Sequence, residues 1–353
     1  MIKKSKDSFK KYVVKNRLFI LGAGFSAKAG VPLTDKLLKL AMSKFAAECP
    51  GVYERVNNYA KACFSVEDEL DYSKVNFSDL FTFLEYQELR EYGGCERWSD
   101  AGSKEKLALK FYLAKTIAEF TPRDENIPKI YIRFAEQLHE RDIIIIFNWD
   151  CLLEAALKKI GKEYTYNFEE NKIKLCKLHG SVNWCLGVPE VLGKPIKENI
   201  LEWQPIDLSN GLIPTNIYQS PRLINFNDWK PFQPLGQVEP FLVVPGYGKA
   251  YDVRAIATLW YKPEWTFAFT HDVYIIGLSL ASDDFFIRSF FLDNLPYIDS
   301  FTGIEGREIV IINPSPDVEK NYNFVLKNKS SVLINDEFQI SQVEEMSKKL
   351  KIA

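Results

Sequence analysis

The run IIIIF at residues 143–147 constrains this chain more than any other feature. Short apolar runs of the same kind recur at Leu18–Leu21, Ile173–Leu178, Phe241–Val244, Val273–Ile276 and Ile309–Ile312. Several are continuous rather than alternating, the pattern of strands covered on both faces of a parallel sheet. The runs therefore predict an α/β sandwich.

Between the first two strands lie roughly 100 residues, far more than the dozen or so that a strand crossover needs. They include the helical patterns FSDLFTFLEYQELREY (Phe77–Tyr92) and KEKLALKFYLAKTIAEF (Lys104–Phe120), so part of this stretch is expected to stand beside the sheet as a helical insertion. A second interruption, Cys185 to Pro240, holds eight of the chain's 17 prolines and many aromatics. It reads as irregular, partly stapled loops and short strands covering a cleft. After Asn313 come a short apolar segment, Val332–Asn335, and a Lys-rich helix ending at Ala353.

With 353 residues, 46% hydrophobic and 26% charged, the chain has enough apolar material for one large domain or two moderate ones. A formal charge of -2 gives no global reason to bind nucleic acid or anionic membrane. The basic start, Lys3, Lys4, Lys6, Lys10, Lys11, Lys15 and Arg17, reads as a local patch, a solvated arm or an oligomer contact. No apolar run approaches the roughly 20 residues of a membrane span, and no secretory signal is visible, so a cytoplasmic protein without membrane partners is expected. The six cysteines (Cys49, Cys63, Cys95, Cys151, Cys176, Cys185) form no C-x-x-C pair and read as reduced and mostly buried.

Gly22, Ala23 and Gly24 follow the first strand directly, and Ser26, Ala27, Ala29 and Gly30 keep the next turn narrow. Small residues at a helix N-terminus can admit a diphosphate to backbone N–H groups. The spacing is not G-x-G-x-x-G, so a simple tight turn remains an equal reading. Thr34 is expected to N-cap a helix beginning at Asp35. The second strand delivers Asn148 and Asp150 to the carboxyl edge of the sheet, where ligands bind at the switch point of a doubly wound fold. Asp150 as a helix cap and Asn148 as a turn residue are the structural alternatives. A third strand brings His179, Gly180 and Ser181 to the same edge, whereas His139 and His271 sit at the opposite end of their strands.

The ordered set GAGFSAKAG (Gly22–Gly30), NWD (Asn148–Asp150), LHGS (Leu178–Ser181), IIGLSLASDD (Ile275–Asp284) and INP (Ile312–Pro314) resembles the sirtuin superfamily. It is closer to the sirtuin-like NAD-cleaving domains of bacterial antiphage defence than to the protein deacetylases. The resemblance spans about residues 17 to 315 and implies a Rossmann-like doubly wound parallel sheet with NAD across its carboxyl edge. It places the diphosphate near Gly22, Ala23, Gly24 and Ser26, a G-x-S turn at Gly277 and Ser279, and an adenosine contact at Asn313. Asn148 matches the asparagine beside the nicotinamide ribose, and His179 the catalytic histidine. On this reading residues 1–353 form one sirtuin-like domain. Its NAD-binding core is 17–35 and 141–315, with a mainly helical insertion at 36–140, an irregular cover at 185–240 and a C-terminal tail at 316–353.

Two departures stand out. Phe147 replaces the Thr or Gln that commonly precedes the asparagine, and Trp149 follows it, which implies a more enclosed nicotinamide pocket. Only Cys185 follows Cys176, too few ligands for the four-cysteine zinc module, so no zinc is expected and the acyl-lysine channel is in doubt.

The implied activity is NAD+ hydrolysis to nicotinamide and ADP-ribose. Asn148 would orient ribose hydroxyls and water, His179 would act as a base with a pKa near its working pH, and Asp150 would fix the geometry or contact the ribose. Such an activity needs gating, which by analogy implies a homo-oligomeric antiphage (abortive infection) effector with a separate partner, a HerA-type ATPase or an Argonaute-like protein. The rival readings are an NAD-dependent deacylase or ADP-ribosyltransferase, a non-catalytic NAD or ADP-ribose sensor, and a nuclease holding metal at Asp283 and Asp284. Two adjacent acids also suit a helix N-terminus.

Overall fold

The computed structural model describes residues 16–90, 97–99, 102–166, 168–186, 199–201, 217–219, 239–246, 270–281, 284–296, 308–326 and 331–351, together with Lys249, Ile256, Leu259, Trp260, Thr266 and Phe267. The basic arm before residue 16, Asp283, Cys95, the Cys185 side chain and most of the 185–240 segment lie outside them.

Strand β1 (Asn16–Leu21) leads into a one-turn helix, α1 (Ala23–Ala27). Then come α2 (Thr34–Glu48), α3 (Pro50–Phe64), α4 (Phe77–Arg90), a small hairpin of β2 (Arg97–Ser99) and β3 (Gly102–Ser103), and α5 (Lys104–Phe120). The chain returns through α6 (Lys129–Gln137) to β4 (Ile143–Ile146), α7 (Leu152–Lys159), β5 (Tyr164–Thr165) and β6 (Ile173–Lys177). A second sheet holds β7 (Gly180–Leu186), β8 (Asn199–Leu201), β9 (Ile217–Gln219) and β10 (Glu239–Leu242). The last part alternates β11 (Thr270–Ile276), α8 (Phe285–Asn294), β12 (Glu308–Ile312), α9 (Val318–Leu326), β13 (Ser331–Ile334) and α10 (Ile340–Lys351).

The main sheet has seven strands in the order β13-β12-β11-β1-β4-β6-β5, and every pairing is parallel. This is the expected doubly wound, Rossmann-like α/β fold. Successive strand residues point to opposite faces, yet Leu18, Phe19, Ile20 and Leu21 are all at most 1% exposed, so helices cover both faces. α6 packs beside α7 and α10, and α8 beside α9. No helix among the described residues is long and apolar enough to cross a membrane. Cys151 and Cys176 are buried, Cys49 and Cys63 partly so, and all four are free thiols.

Helices α2 to α5 close around a separate core of Leu38, Met42, Phe45, Val56, Phe81 and Tyr112. The helical stretch 36–140 is thus divided: its last helix, α6, gives Ile130, Tyr131, Phe134 and Ala135 to the sheet core instead.

The C-terminal tail at 316–353 is built into the fold, because Val332–Ile334 belong to the edge strand β13, which pairs with β12, and Tyr322, Phe338 and Met346 are core residues. Three expectations need correction. Phe241–Val244 is not a strand of the parallel sheet; its first half lies in β10, antiparallel to β7. Phe241 and Val243 pack into the sheet core while Leu242 and Val244 pack into the helical core, so a run between two cores is as continuously apolar as a buried parallel strand. Arg17 belongs to no surface patch: it is 2% exposed, with Nε donating to Asp142 Oδ1 at 3.0 Å and Nη2 to the Gln137 carbonyl at 2.7 Å. Thr34 is the first residue of α2, whose N-cap position is Leu33 without a side-chain cap.

Candidate active site

An all-parallel sheet brings every strand's carboxyl end to one edge. Neighbours of β1 are β4 on one side and β11 on the other, so the winding direction reverses beside β1 and opens a crevice there. Residues directly after β1, β4, β6, β11 and β12 meet at that edge. They line a cleft of ≈ 720 Å³, within the range of small-molecule sites.

The glycines of the first turn are explained by packing. Gly22 N–H donates to the Ile276 carbonyl (2.9 Å), Gly24 N–H to Gly277 (2.8 Å) and Phe25 N–H to Gly22 (2.9 Å). A Cβ on Gly22 would lie 2.4 Å from Leu278 Cα, and one on Gly277, whose φ is +65°, would lie 2.1 Å from Phe25 N. Two backbones cross here with no room for side chains. With those three amides engaged and α1 only five residues long, the turn offers an anion less than its sequence suggests. Ala23 and Gly24 line the cleft; Gly22 and Ser26 stand behind it.

Ser26 is wholly buried and works as a spacer. Its Oγ accepts from Asn148 Nδ2 at 3.1 Å, and its hydroxyl bonds to Asp150. Asp150 Oδ1 in turn accepts from Leu152 N–H at 3.0 Å, a turn leading into α7, whose N-cap position is Cys151 without a side-chain cap. Burial raises the Asp150 pKa, partly offset by Lys177, the Leu152 amide and Ser26. With Nδ2 committed to Ser26, the amide of Asn148 is oriented, and its Oδ1 is buried without a hydrogen-bond partner.

Beneath this turn lies a group that the sequence reading passed over. Lys177, the last residue of β6, is fully buried; its Nζ donates to the Asp150 carbonyl and, at 3.0 Å, to Glu154 Oε1. Tyr166 OH donates to the same carboxylate oxygen at 2.9 Å. Burial pulls the Lys177 pKa down, but Glu154, Cys151 and Asp150 outweigh it and leave it raised, so the ammonium persists. A lysine closing an otherwise apolar strand, with a glutamate inside the next helix, was the available signal.

His179 follows β6, the neighbour of β4, and its ring stands edge-on to Phe147 at 5.0 Å. Its Nε2 is buried, unpartnered and 3.9 Å from Asp284 Oδ2. Burial first, and then the nearby Lys249 charge, push its pKa down to about 3, against the opposing pull of Asp284 and Phe147. This departs from the expectation of a pKa near the working pH, because burial favours the neutral imidazole of His179. Sequence reasoning also missed Lys249, whose Nζ lies 2.7 Å from both oxygens of Asp284. Asp284 N-caps α8 by accepting from Ile287 N–H at 3.1 Å, the role a helix start implies for an acid. Among the described residues no three His, Cys, Asp or Glu side chains gather as metal ligands.

At the far end of the cleft, Asn313 Oδ1 holds the following turn through Ser315 N–H at 2.9 Å. Ser279 is exposed, and its carbonyl accepts from Asn321 Nδ2 at 3.0 Å. Asn148, Asp150, His179, Gly277, Ser279 and Asn313 all line the one cleft. Phe147 and Trp149 line it too, Trp149 packing on Phe77 of the helical core at 6.2 Å.

Fold and site together define a doubly wound α/β protein with a ligand-sized cleft at its switch point. No protein-family model matches the chain, and no curated protein matches it. Among solved structures, it is similar to a Sir2–p53 peptide–NAD+ complex, at 12% identity and a TM-score of 0.40 over 100% of both chains. A Sir2 complex with the inhibitor EX-527, 2'-O-acetyl-ADP-ribose and a deacetylated p53 peptide is similar at 13% identity and a TM-score of 0.39, over 98% of this chain and 100% of that one. Sir2Tm bound to a propionylated peptide gives 12% and 0.35 over 100% of both. Likeness of this degree assigns no residue a role; the roles rest on the cleft's own geometry.

Proposed function

We propose that this protein is an NAD+ glycohydrolase that cleaves NAD+ to nicotinamide and ADP-ribose. One observation carries the reading: Asn148 Oδ1 and His179 Nε2, two buried acceptors without partners, belong to residues lining the same ≈ 720 Å³ cleft. Buried acceptors without partners are costly, and a bound hydroxyl or water would satisfy both. The sequence resemblance to sirtuin-like NAD-cleaving domains supports the choice of dinucleotide.

The chemistry asks little of the protein. The bond between the ribose anomeric carbon and the nicotinamide nitrogen breaks, its electron pair neutralises the ring's positive charge, and an oxocarbenium-like carbon accepts water. Asn148 orients that water or a ribose hydroxyl, and His179 Nε2 takes the released proton. Water bonding to so electron-poor a carbon becomes strongly acidic, so even a weakly basic imidazole suffices. Asp150, locked by Ser26 and Leu152, holds the turn rather than the proton. Ala23, Gly24, Gly277 and Ser279 flank the diphosphate, and Asn313 the adenosine. Phe147 and Trp149 shield the nicotinamide end from bulk water.

Free NAD hydrolysis would exhaust a cell's own cofactor, so the activity calls for a gate. We place it in a homo-oligomeric antiphage effector of the cytoplasm, released by a separately encoded partner such as a HerA-type ATPase or an Argonaute-like protein. The test incubates the purified protein with NAD+ and quantifies nicotinamide and ADP-ribose, beside folded Asn148→Ala and His179→Ala variants. Equimolar products, lost in both variants, are expected. Product formed only with acylated peptide would turn the reading toward a deacylase, and NAD+ bound but intact even with partner added would turn it toward a sensor.

A further inference from the structure

We propose that Asp284 is the electrostatic partner of His179 in proton transfer, and that Lys249, by holding both carboxylate oxygens of Asp284, sets how readily His179 takes a proton. The proposal rests on His179 acting as the base.

Geometry carries the argument. Nε2 of His179 is buried without a hydrogen-bond partner, which makes it the nitrogen we assign to accept a proton. That nitrogen faces Asp284 Oδ2 at 3.9 Å. With the ring proton on Nδ1 these are two acceptors pointed at each other, and neither can bond the other. Once Nε2 is protonated the same two atoms become a donor and a carboxylate, and a small approach makes a charge-assisted hydrogen bond. The site is thus shaped for the imidazolium that proton transfer would create.

The charged groups acting on the ring are Lys249 and Asp284; its other flanks meet Phe147 and Trp260. Lys249 Nζ is 2% exposed at its side chain and lies 5.7 Å from the Phe286 ring centroid, so its ammonium sits in a low-dielectric position where it acts strongly. It affects His179 twice, directly by repelling a second cation and indirectly by engaging the carboxylate that would stabilise one. Burial raises the Asp284 pKa, but the His179 charge first, and then Lys249 and the Ile287 amide, reverse this and leave it lowered. Asp284 is an anion throughout the neutral range, shared between a permanent partner and a transient one.

Ring titration by NMR tests this without any substrate. The chain has only three histidines, so His179→Gln assigns the signal. In the wild type the His179 ring should stay neutral down to about pH 4, the behaviour of a buried imidazole. Lys249→Met keeps the alkyl contact with Phe286 and should raise the midpoint by roughly one pH unit or more. Lys249→Met combined with Asp284→Asn, which retains a helix-capping side chain, should return most of that rise. An unmoved midpoint in Lys249→Met overturns the proposal, and so does an equal rise in the double variant, which would make Asp284 a bystander. Unchanged near-UV circular dichroism and urea unfolding confirm that the variants are folded. Failure of NAD+ cleavage would sink the glycohydrolase reading but leave these titrations to be judged separately.

Discussion

Two buried lysines flank this cleft, and the difference between them shows how a buried ion pair is put to different uses. Lys177 and Lys249 are both almost wholly sequestered, at 0% and 2% side-chain exposure, and each is paired with one acid. Lys177 Nζ donates to Glu154 and to the Asp150 backbone carbonyl, and Tyr166, whose pKa burial drives well above its ordinary value, donates to the same Glu154 oxygen. This pair can only hold geometry, here the turn that presents Asn148. The acid of Lys249 has a third neighbour, His179, so the second pair is tied to a group that can titrate. The acid's remaining contact, more than burial or distance, decides whether a buried pair is a fastening or a control.

The comparison breaks most sharply at Lys177. Lys177→Met leaves the Glu154 carboxylate buried without its cation and should cost about 3–5 kcal/mol, measured by urea unfolding. Removing both charges, with Glu154→Gln beside Lys177→Met, should recover much of that loss, since a neutral amide is far cheaper to bury. Equal destabilisation in single and double variants would mean that Lys177 matters by its packing and not by its charge.

A smaller effect separates the two lysine groups by pH. His179 is held near 3 in the fold, below its ordinary 6.5, so the unfolded chain binds this proton more readily than the folded one between those limits. The group's contribution is therefore complete above 6.5 and is lost as pH falls toward 3. The wild type should lose about 2–3 kcal/mol more than His179→Gln when pH drops from about 7.5 to about 4.5. Parallel stability curves for the two proteins would contradict the buried neutral imidazole.

How much of this was legible in the sequence follows from which interactions are local. Continuous runs such as Ile143–Ile146 announced the sheet because burial on both faces leaves no polar position in the strand. Once the strands were parallel, whatever followed them had to share an edge, so Asn148, His179 and Asn313 could be grouped without knowing a single contact. Phe241–Val244 misled because two cores impose the same pattern as two sheet faces. At Ser26 and the turn glycines the sequence leaves a phosphate contact and a tight turn equally open, because it gives residue size but not which amides the neighbouring turn of β11 has already engaged. Lys249 and Asp284 were unreadable as a pair for a plainer reason: 35 residues separate them, and no periodicity links a lysine after β10 to the cap of α8.

The smallest expected change in stability belongs to the residue expected to matter most for activity. Asn148 makes one side-chain hydrogen bond, from Nδ2 to Ser26, while its Oδ1 has no partner. Asn148→Ala removes that bond and also removes an unsatisfied buried acceptor, two effects of opposite sign. The net cost should stay below about 1 kcal/mol, against the 3–5 kcal/mol expected at Lys177. NAD+ turnover should nevertheless fall a hundred-fold or more, about 2.7 kcal/mol of lost transition-state stabilisation. A scaffold residue shows the reverse pattern, because its interactions are complete before any ligand arrives. Measuring both quantities on the same Asn148→Ala preparation therefore places the residue: an unfolding cost matching Lys177 with turnover intact would move Asn148 from the chemistry to the framework.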